Sequence, residues 1–187
     1  ISYATNASFY IPLGHKNTNC LKKNLVLDKL KIIFEDPSIK KVCQNTKYDF
    51  IIFKNLGIAL NSVEDTMVLS YTLDAGNNRH NMNTLSEIHL GHKTILYKDL
   101  VGTGKKQLKF SDVDLKSATE YAAEDADVTL RLYNILSERV VEEKLEKIYE
   151  IFEKPMIKIL SKLETNGIKV DDSYLKKLSK KFEERLI

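Results

Sequence analysis

The stretch Tyr121-Ala-Ala-Glu-Asp125-Ala-Asp127-Val-Thr129 decides how the rest of this chain is interpreted. In a helix, Tyr121 and Asp125 lie one turn apart on the same face. Three of the nine residues are acidic, and like charges three or four residues apart repel each other. A bound divalent cation would offset this repulsion, which makes Asp125 a candidate metal ligand. The alternative is that Glu124 and Asp127 simply face water.

A second polar cluster lies upstream, in Gln44-Asn-Thr-Lys-Tyr-Asp49. A short apolar run ends at Cys43, and Asp49 opens an apolar-periodic segment that closes at Gly57. This pattern predicts a strand, a tight loop and a helix. Because sites in α/β sheets gather at the carboxyl ends of strands, Asp49 is a second candidate ligand. The alternative is that Asp49 caps its helix.

The remaining pattern predicts a mixed α/β chain. Strands are expected at residues 1–4, 9–13 and 39–43, the first two as a hairpin. Helices are expected at residues 21–34, 48–56, 64–73, 83–90 and 115–142, with Asp65 as a cap. Residues 75–81 and 97–110 are expected to be loops. A further helix over residues 145–164 should kink or restart at Pro155, and the last helix should begin at Asp171 or Asp172.

Composition limits the class of protein. With 187 residues, 43% hydrophobic and 29% charged, the chain is long and apolar enough for a real core. No apolar run is long enough to span a bilayer, so no membrane partner is expected. The two cysteines predict reduced thiols in a cytoplasmic protein rather than a disulfide framework. The net charge of +3 is only weak support for a polyanion partner.

The two motifs resemble signature motifs of the 3′–5′ proofreading exonuclease domain of bacterial DNA polymerase I. That domain belongs to the DnaQ-like (DEDD) exonucleases, in the subgroup with a tyrosine in the last motif. The resemblance continues in Asp65-Thr-Met-Val-Leu-Ser-Tyr-Thr-Leu73, Arg79-His-Asn-Met-Asn-Thr-Leu85 and Gly102-Thr-Gly-Lys-Lys-Gln-Leu-Lys-Phe110. It implies a ribonuclease H-like α/β fold, with a mixed sheet flanked by helices.

The resemblance also implies a chemistry. Two divalent ions, Mg²⁺ or Mn²⁺, would assist hydrolysis of the last phosphodiester and release a nucleoside 5′-monophosphate. Asp49 and Asp125 correspond to metal ligands, and Tyr121 would orient the nucleophile. The phenol's ordinary pKa of about 10 makes Tyr121 a poor general base. Asp49, Tyr121 and Asp125 are therefore the catalytic candidates.

The expected substrate is a single-stranded or frayed DNA 3′ end. By resemblance, the DNA-contacting residues are Gln44, Asn45, Tyr48, Arg79 and Phe110. Two of these have simpler alternatives, because Phe110 could be core and Arg79 could be a solvated loop residue. Lys105 and Lys106, in the loop before Phe110, are either phosphate contacts or solvated side chains.

One departure from the family matters. The family begins with a strand that bears Asp-x-Glu, whereas Ile1-Ser-Tyr-Ala4 resembles the strand after it. We therefore expect an exonuclease domain at residues 1–143 that lacks its first strand and is a poor nuclease alone. Residues 144–187 resemble a truncated helical segment leading toward a polymerase domain. The alternatives are an RNA-trimming relative and a non-catalytic scaffold that supports a polymerase.

Overall fold

A computed structural model describes residues 1–16 and 18–186, and these are mostly helical with four short strands. The strands are Ser2–Ala4 (β1), Ala7–Ser8 (β2), Lys41–Cys43 (β3) and Val63–Asp65 (β4). The α-helices before residue 145 are Lys23–Glu35 (α1), Thr46–Asn55 (α2), Thr66–Asp74 (α3), Met82–Leu90 (α4), Tyr97–Val101 (α5) and Leu115–Glu142 (α6). Later helices are Glu146–Ile148 (α7), Lys154–Asn166 (α8) and Asp172–Glu183 (α9). Among the described residues, no helix combines the length and apolar character that crossing a membrane requires.

The strands form two pairs. β1 and β2 are antiparallel, and β3 and β4 are parallel, with Lys41 opposite Val63 and Cys43 opposite Asp65. In the described residues the pairs are separate rather than parts of one mixed sheet. Both pairs pack against α6, which places this helix at the centre of the molecule. The predicted α/β class is confirmed.

The main core lies between α3, α4 and α6. Along α6 the buried apolar residues recur every four positions, which directs one stripe of the helix inward. Asp114 accepts a hydrogen bond from the Ser117 backbone N–H at 2.9 Å and so caps this helix. The buried side chains of the core are Leu69, Leu85, Val128, Leu132, Leu136, Val140 and Tyr149.

Apolar packing and hydrogen bonds attach the segment after α6 to the preceding residues. Tyr149 is buried in the same core, and its hydroxyl donates to Glu64 Oε2 at 2.7 Å. Lys154 Nζ donates to Glu64 Oε1 at 2.8 Å. A π-helical turn at Tyr149–Glu153 precedes α8, which has proline in its first turn. The predicted change of the helix at Pro155 is confirmed, since proline lacks an N–H but fits a first turn.

Two segments early in the chain and before α6 differ from the predicted secondary structure, and so does the start of α3. The second strand is Ala7–Ser8 rather than residues 9–13, because Pro12 cannot donate a hydrogen bond to a neighbouring strand and Tyr10 packs against Phe110 instead. The region predicted as a loop at 97–110 contains α5, a helix too short to show periodicity, with 3-10 turns at Gly104–Lys106 and Phe110–Asp112.

The helix predicted from residue 64 begins at Thr66, because Val63–Asp65 pairs with β3. The predicted cap at Asp65 is confirmed, since its carboxylate accepts from the Met67 N–H at 2.9 Å. For the last helix, the cap is Asp171, which accepts from the Tyr174 N–H at 2.9 Å.

Candidate functional site

Two of the three acids in the α6 motif have structural partners. Glu124 is paired through Oε1 with His92 Nε2 at 2.8 Å, and its Oε2 accepts from the Ile95 N–H at 2.7 Å. Asp127 is buried, and its Oδ1 accepts from the Asn6 N–H at 2.5 Å. The alternative that Glu124 and Asp127 simply face water is therefore wrong, because each holds a distant segment against α6.

Asp125 differs from both neighbouring acids. Its Oδ1 is buried and has no hydrogen-bond partner among the described residues. Burial raises the pKa of Asp125 to about 6; the nearby Tyr121 hydroxyl opposes this rise, and the charge of Glu124 adds to it. A buried polar atom without a partner costs about 1–3 kcal/mol, and more for a charged group. Such unpaired groups with shifted pKa values are concentrated at functional sites.

Tyr121 lies one turn before Asp125 in α6. Burial, followed by the negative charge of Asp125, raises the pKa of the phenol above its ordinary value. The Tyr121 hydroxyl therefore stays protonated near neutral pH. It can donate a hydrogen bond and orient a neighbouring group, but it cannot serve as a base there.

Asp49 is the second acid with a raised pKa. It lies half-buried in α2, close to the Cys43 thiol at the end of β3. Burial raises the pKa of Asp49 to about 6; the Cys43 thiol opposes this rise, and the charge of Asp65 adds to it. Burial also raises the pKa of the Cys43 thiol, so this cysteine is uncharged near neutral pH.

The capping role considered for Asp49 belongs to another residue. α2 begins at Thr46, and its N-cap residue is Asn45, four residues before the expected Asp49. The Asp65 carboxylate, from β4, accepts from the Asn45 N–H at 3.1 Å and the Thr46 N–H at 2.7 Å. The backbone N–H groups at the start of α2 thus donate to a residue outside the helix, and the capping alternative for Asp49 is wrong.

The two candidate metal ligands, on α2 and α6, are connected through β3. Asp49 lies beside Cys43 at the end of β3, and β3 packs against α6, which carries Asp125. Within residues 1–16 and 18–186, no group of three or more His, Cys, Asp or Glu side chains is close enough to hold a metal ion. Asp49 and Asp125 are therefore at most part of a ligand set.

Three of the predicted DNA contacts are exposed to solvent. Tyr48 is 62% exposed on α2, and Asn45 and Arg79 are also exposed. Asn45 has a φ of 64°, a left-handed conformation that asparagine tolerates better than most residues. A ligand approaching this surface can reach these side chains.

Gln44 has internal partners. Its amide donates to the His80 carbonyl oxygen at 3.0 Å, and its side-chain oxygen accepts from the Thr66 hydroxyl. Gln44 thereby joins the loop after β3 to the loop that carries Arg79. This contact was not expected from the sequence, since it joins residues 36 positions apart.

Phe110 belongs to an aromatic cluster around Tyr121. We define the aromatic cluster as Tyr10, His15, Tyr97, Phe110 and Tyr121. Phe110 is half-buried, with its ring centroid 6.1 Å from Tyr121 and 6.3 Å from Tyr97. This packing favours the alternative of a core role for Phe110, while part of its ring still reaches solvent. Sequence reasoning missed Tyr97, Tyr10 and His15, because no local pattern indicates that they meet.

Comparisons with known proteins identify the family of this chain. A family model described as 3′-5′ exonuclease matches residues 1–141. DNA polymerase I of Rhizobium leguminosarum is 45% identical over 181 residues, covering 91% of this chain and 18% of that protein. DNA polymerase I of Pseudomonas aeruginosa is 39% identical over 185 residues, covering 95% of this chain and 20% of that protein. The chain thus spans about a fifth of the length of these relatives.

Solved structures share the fold. The POL domain of Pol1 from M. smegmatis, in complex with DNA primer-template and dNTP, has a TM-score of 0.66 at 18% identity. The match covers 90% of this chain and 26% of that one. Brucella melitensis NrnC has a TM-score of 0.60 at 20% identity and covers 80% of this chain and 66% of its own. The chain belongs to the 3′–5′ exonuclease family found within DNA polymerase I.

Proposed function

We propose that this chain is the proofreading part of a DNA polymerase I, which removes mispaired 3′-terminal nucleotides as nucleoside 5′-monophosphates. The observation that carries the proposal is the contrast within one helical turn of α6. Glu124 and Asp127 are bound to other parts of the fold, whereas Asp125 keeps a buried oxygen without a partner beside the Tyr121 hydroxyl. This arrangement leaves one carboxylate available for an external ligand.

Two of the residues present, Asp49 and Asp125, suit divalent metal ions as part of a larger ligand set. Exonucleases of the DnaQ-like family generally depend on divalent metals. Asp125 and Asp49 would contribute oxygen ligands to two ions, Mg²⁺ or Mn²⁺, which suit carboxylates. Burial disfavours the charged forms of both acids and so raises their pKa values, and a bound cation would stabilise the two carboxylates. When bound, such ions lower the pKa of water and stabilise the charge that develops on the phosphate.

The family's Asp-x-Glu pair would complete the ligand set. Asp49 and Asp125 alone supply too few oxygens for two ions. The coding sequence upstream of Ile1 tests this part of the proposal. If it encodes no Asp-x-Glu, a non-catalytic scaffold becomes the better assignment.

Tyr121 is proposed to position the attacking water. Its hydroxyl stays protonated because burial and Asp125 raise its pKa, so it donates a hydrogen bond rather than removing a proton. Asp125 is the immediate neighbour of that hydroxyl and restricts its orientation. A fixed hydroxyl holds the nucleophile in line with the scissile phosphorus, which is a large part of phosphoryl-transfer catalysis.

The exposed polar residues are proposed to hold the 3′ end. Asn45, Tyr48 and Arg79 face solvent and offer an amide, a ring and a positive charge. Gln44 is proposed to contact the terminal nucleotides through the amide hydrogen that its bond to the His80 carbonyl leaves free. Phe110, which presents part of its ring to solvent, is proposed to stack or wedge near the end.

We also propose that residues 1–143 form the exonuclease domain and residues 144–187 lead toward a polymerase domain. The family match ends at residue 141, whereas the DNA polymerase I relatives match almost the whole chain. The contacts of Tyr149 and Lys154 with Glu64 attach the second segment firmly to β4. We therefore expect little hinge motion between them.

The test is excision by the whole protein. A primer with a mispaired 3′ end is incubated with Mg²⁺ or Mn²⁺, and released nucleotide is measured. Asp125→Ala should reduce excision by at least about 1,000-fold while polymerisation continues. The matched control is Glu138→Ala, which removes an exposed acid from the same helix and should leave the rate unchanged. Full excision by Asp125→Ala would refute the site, and faster cleavage of RNA than DNA would favour an RNA-trimming enzyme.

A further inference from the structure

A buried hydrogen-bond network joins the segment after α6 to the end of β4. The Tyr149 hydroxyl donates to Glu64 Oε2 at 2.7 Å and accepts from the Asp65 backbone N–H at 3.3 Å. Lys154 Nζ donates to Glu64 Oε1 at 2.8 Å. Because Tyr149, Glu64 and Asp65 are all buried, water cannot readily replace these bonds. The position of the last two residues of β4 therefore depends on Tyr149.

Asp65 extends this constraint to the candidate site. Its carboxylate accepts from the backbone N–H groups of Asn45 and Thr46, at 3.1 and 2.7 Å. Thr46 is fully buried and is the first residue of α2. The same helix carries Tyr48, a proposed DNA contact, and Asp49, a proposed metal ligand. A shift of β4 would therefore move the start of α2 and the functional side chains on it.

The conformation of Asn45 makes the start of α2 sensitive to its support. Asn45 has a φ of 64° and a ψ of 53°, which is the left-handed region. A residue other than glycine keeps this conformation only where the surrounding contacts hold it. The hydrogen bond from the Asn45 N–H to Asp65 is one such contact. If Asp65 moves, Asn45 should relax and displace the first turn of α2.

The network differs from the surface contact that joins the same two parts of the chain. α8 packs against α2, and Lys47 of α2 forms an ion pair with Glu164 of α8. That pair is largely open to solvent, and exposed ion pairs contribute little to stability. Breaking the buried network instead leaves polar groups without partners in the interior. We therefore expect Tyr149, rather than Glu164, to determine how the start of α2 is held.

We propose that Tyr149 and Glu64 are positioning residues of the exonuclease site, because they hold Asp65 where it fixes the start of α2. This deepens the proposed function and rests on it. Tyr149 lies beyond residue 141, where the match to the exonuclease family ends. The geometry of the site thus depends on the segment proposed to lead toward a polymerase domain, as well as on the exonuclease domain itself.

Hydrogen exchange of the whole protein without metal tests the structural step. Tyr149→Phe removes the hydroxyl and keeps the ring in the core. The Asn45 and Thr46 amides should then exchange at least about fivefold faster than in the wild type, because their acceptor is held less firmly. The matched control is Tyr133→Phe, which removes a hydroxyl that accepts from Lys40 Nζ at 2.6 Å and has no bond to β4. This control should leave the exchange of both amides within about twofold of the wild type.

The metal dependence of excision tests the consequence for the site. On a single-stranded oligonucleotide, Tyr149→Phe should lower kcat about tenfold, since small displacements of catalytic groups are costly. It should also raise the Mn²⁺ concentration for half-maximal excision about threefold or more, because Asp49 is displaced. The second control is Val140→Ala, which loses packing in the core that contains Tyr149. Lost stability alone lowers the amount of active protein, so Val140→Ala should keep the half-maximal Mn²⁺ concentration of the wild type.

The proposal is overturned if Tyr149→Phe exchanges the two amides at the wild-type rate, or if its Mn²⁺ dependence matches that of both controls. If Tyr149→Phe does not fold, Lys154→Met replaces it, because this change removes the other donor to Glu64 and leaves the Tyr149 ring in place. The same two shifts are then expected, and their absence would overturn the proposal equally.

The outcomes also separate this proposal from the proposed function. If the wild-type protein releases no nucleotides from 3′ ends, the proposed function fails and this proposal fails with it. If the wild type excises normally and Tyr149→Phe does the same, only the positioning role of Tyr149 and Glu64 is refuted.

Discussion

Removing the charge of Asp125 should stabilise the folded protein when no divalent metal is present. Asp125→Asn keeps the shape of the side chain and leaves an oxygen for the Tyr121 hydroxyl. In the wild type, the buried Oδ1 has no partner, and burial raises the pKa of the carboxyl. Near neutral pH the fold therefore carries a negative charge in a site that disfavours it, and the neutral amide removes that penalty.

The magnitude follows from the pKa. The folded value is about 6 and the ordinary value is 3.8, so the charged carboxylate disfavours folding at pH 7. The rise is about two pH units, which sets a ceiling of about 3 kcal/mol. Because the group is only partly shielded from water, we expect Asp125→Asn to raise the free energy of unfolding by about 1–2 kcal/mol. The destabilisation caused by the charged carboxylate develops as pH rises from about 4 to 6. It is absent at lower pH, where Asp125 is protonated in both the folded and the unfolded protein.

The assay is urea unfolding in EDTA at two pH values. Asp125→Asn should be more stable than wild type at about pH 7 and nearly equal to it at about pH 3.5. The control is Glu124→Gln, which should lose about 1 kcal/mol at neutral pH because Glu124 accepts from His92 and Ile95. The reasoning is refuted if Asp125→Asn is no more stable than wild type at neutral pH, or if its gain is independent of pH.

Three further changes test other parts of the structure. Tyr121→Phe should lower kcat for excision about 100-fold with KM nearly unchanged, because the ring stays while the positioning hydroxyl is lost; steady-state kinetics in which KM rises and kcat holds would contradict this. Asp65→Ala should lower the free energy of unfolding by about 3 kcal/mol in urea titrations, since three backbone N–H groups lose their acceptor. A loss under about 1 kcal/mol would contradict the role of Asp65 as a cap for both α2 and α3. Tyr149→Phe should cost about 1–2 kcal/mol in thermal unfolding, because Glu64 loses a buried donor; an unchanged midpoint would show that this contact contributes little.

Much of the helical structure was predictable because its signals are local. The apolar stripe of α6 lies within the helix itself, and the residues that begin and end α2 and α4 directly adjoin those helices. β4 escaped prediction because a three-residue strand has no measurable period and runs directly into α3. Its existence depends on pairing with β3, some twenty residues earlier, which no local pattern reports.

The residues of the candidate site and their roles stay a prediction. The sequence indicates Asp49, Tyr121 and Asp125 through motif resemblance, but it does not show what the other two acids of α6 contact. Only the fold distinguishes Asp127, which accepts from Asn6 across 121 positions, from Asp125, which keeps an unpaired oxygen. Tyr97 illustrates the same limit, because its neighbours in the aromatic cluster are 13 and 24 positions away by sequence number.

The central claim is that the Asp49 and Asp125 carboxylates together bind divalent metal at the exonuclease site. Anomalous diffraction from crystals of the whole protein soaked with Mn²⁺ and a short single-stranded oligonucleotide measures this directly. We predict two manganese peaks, one at coordination distance from Asp125 and one on the side of Asp49. Manganese that touches neither carboxylate, or a basic side chain occupying the space between them, would contradict the account.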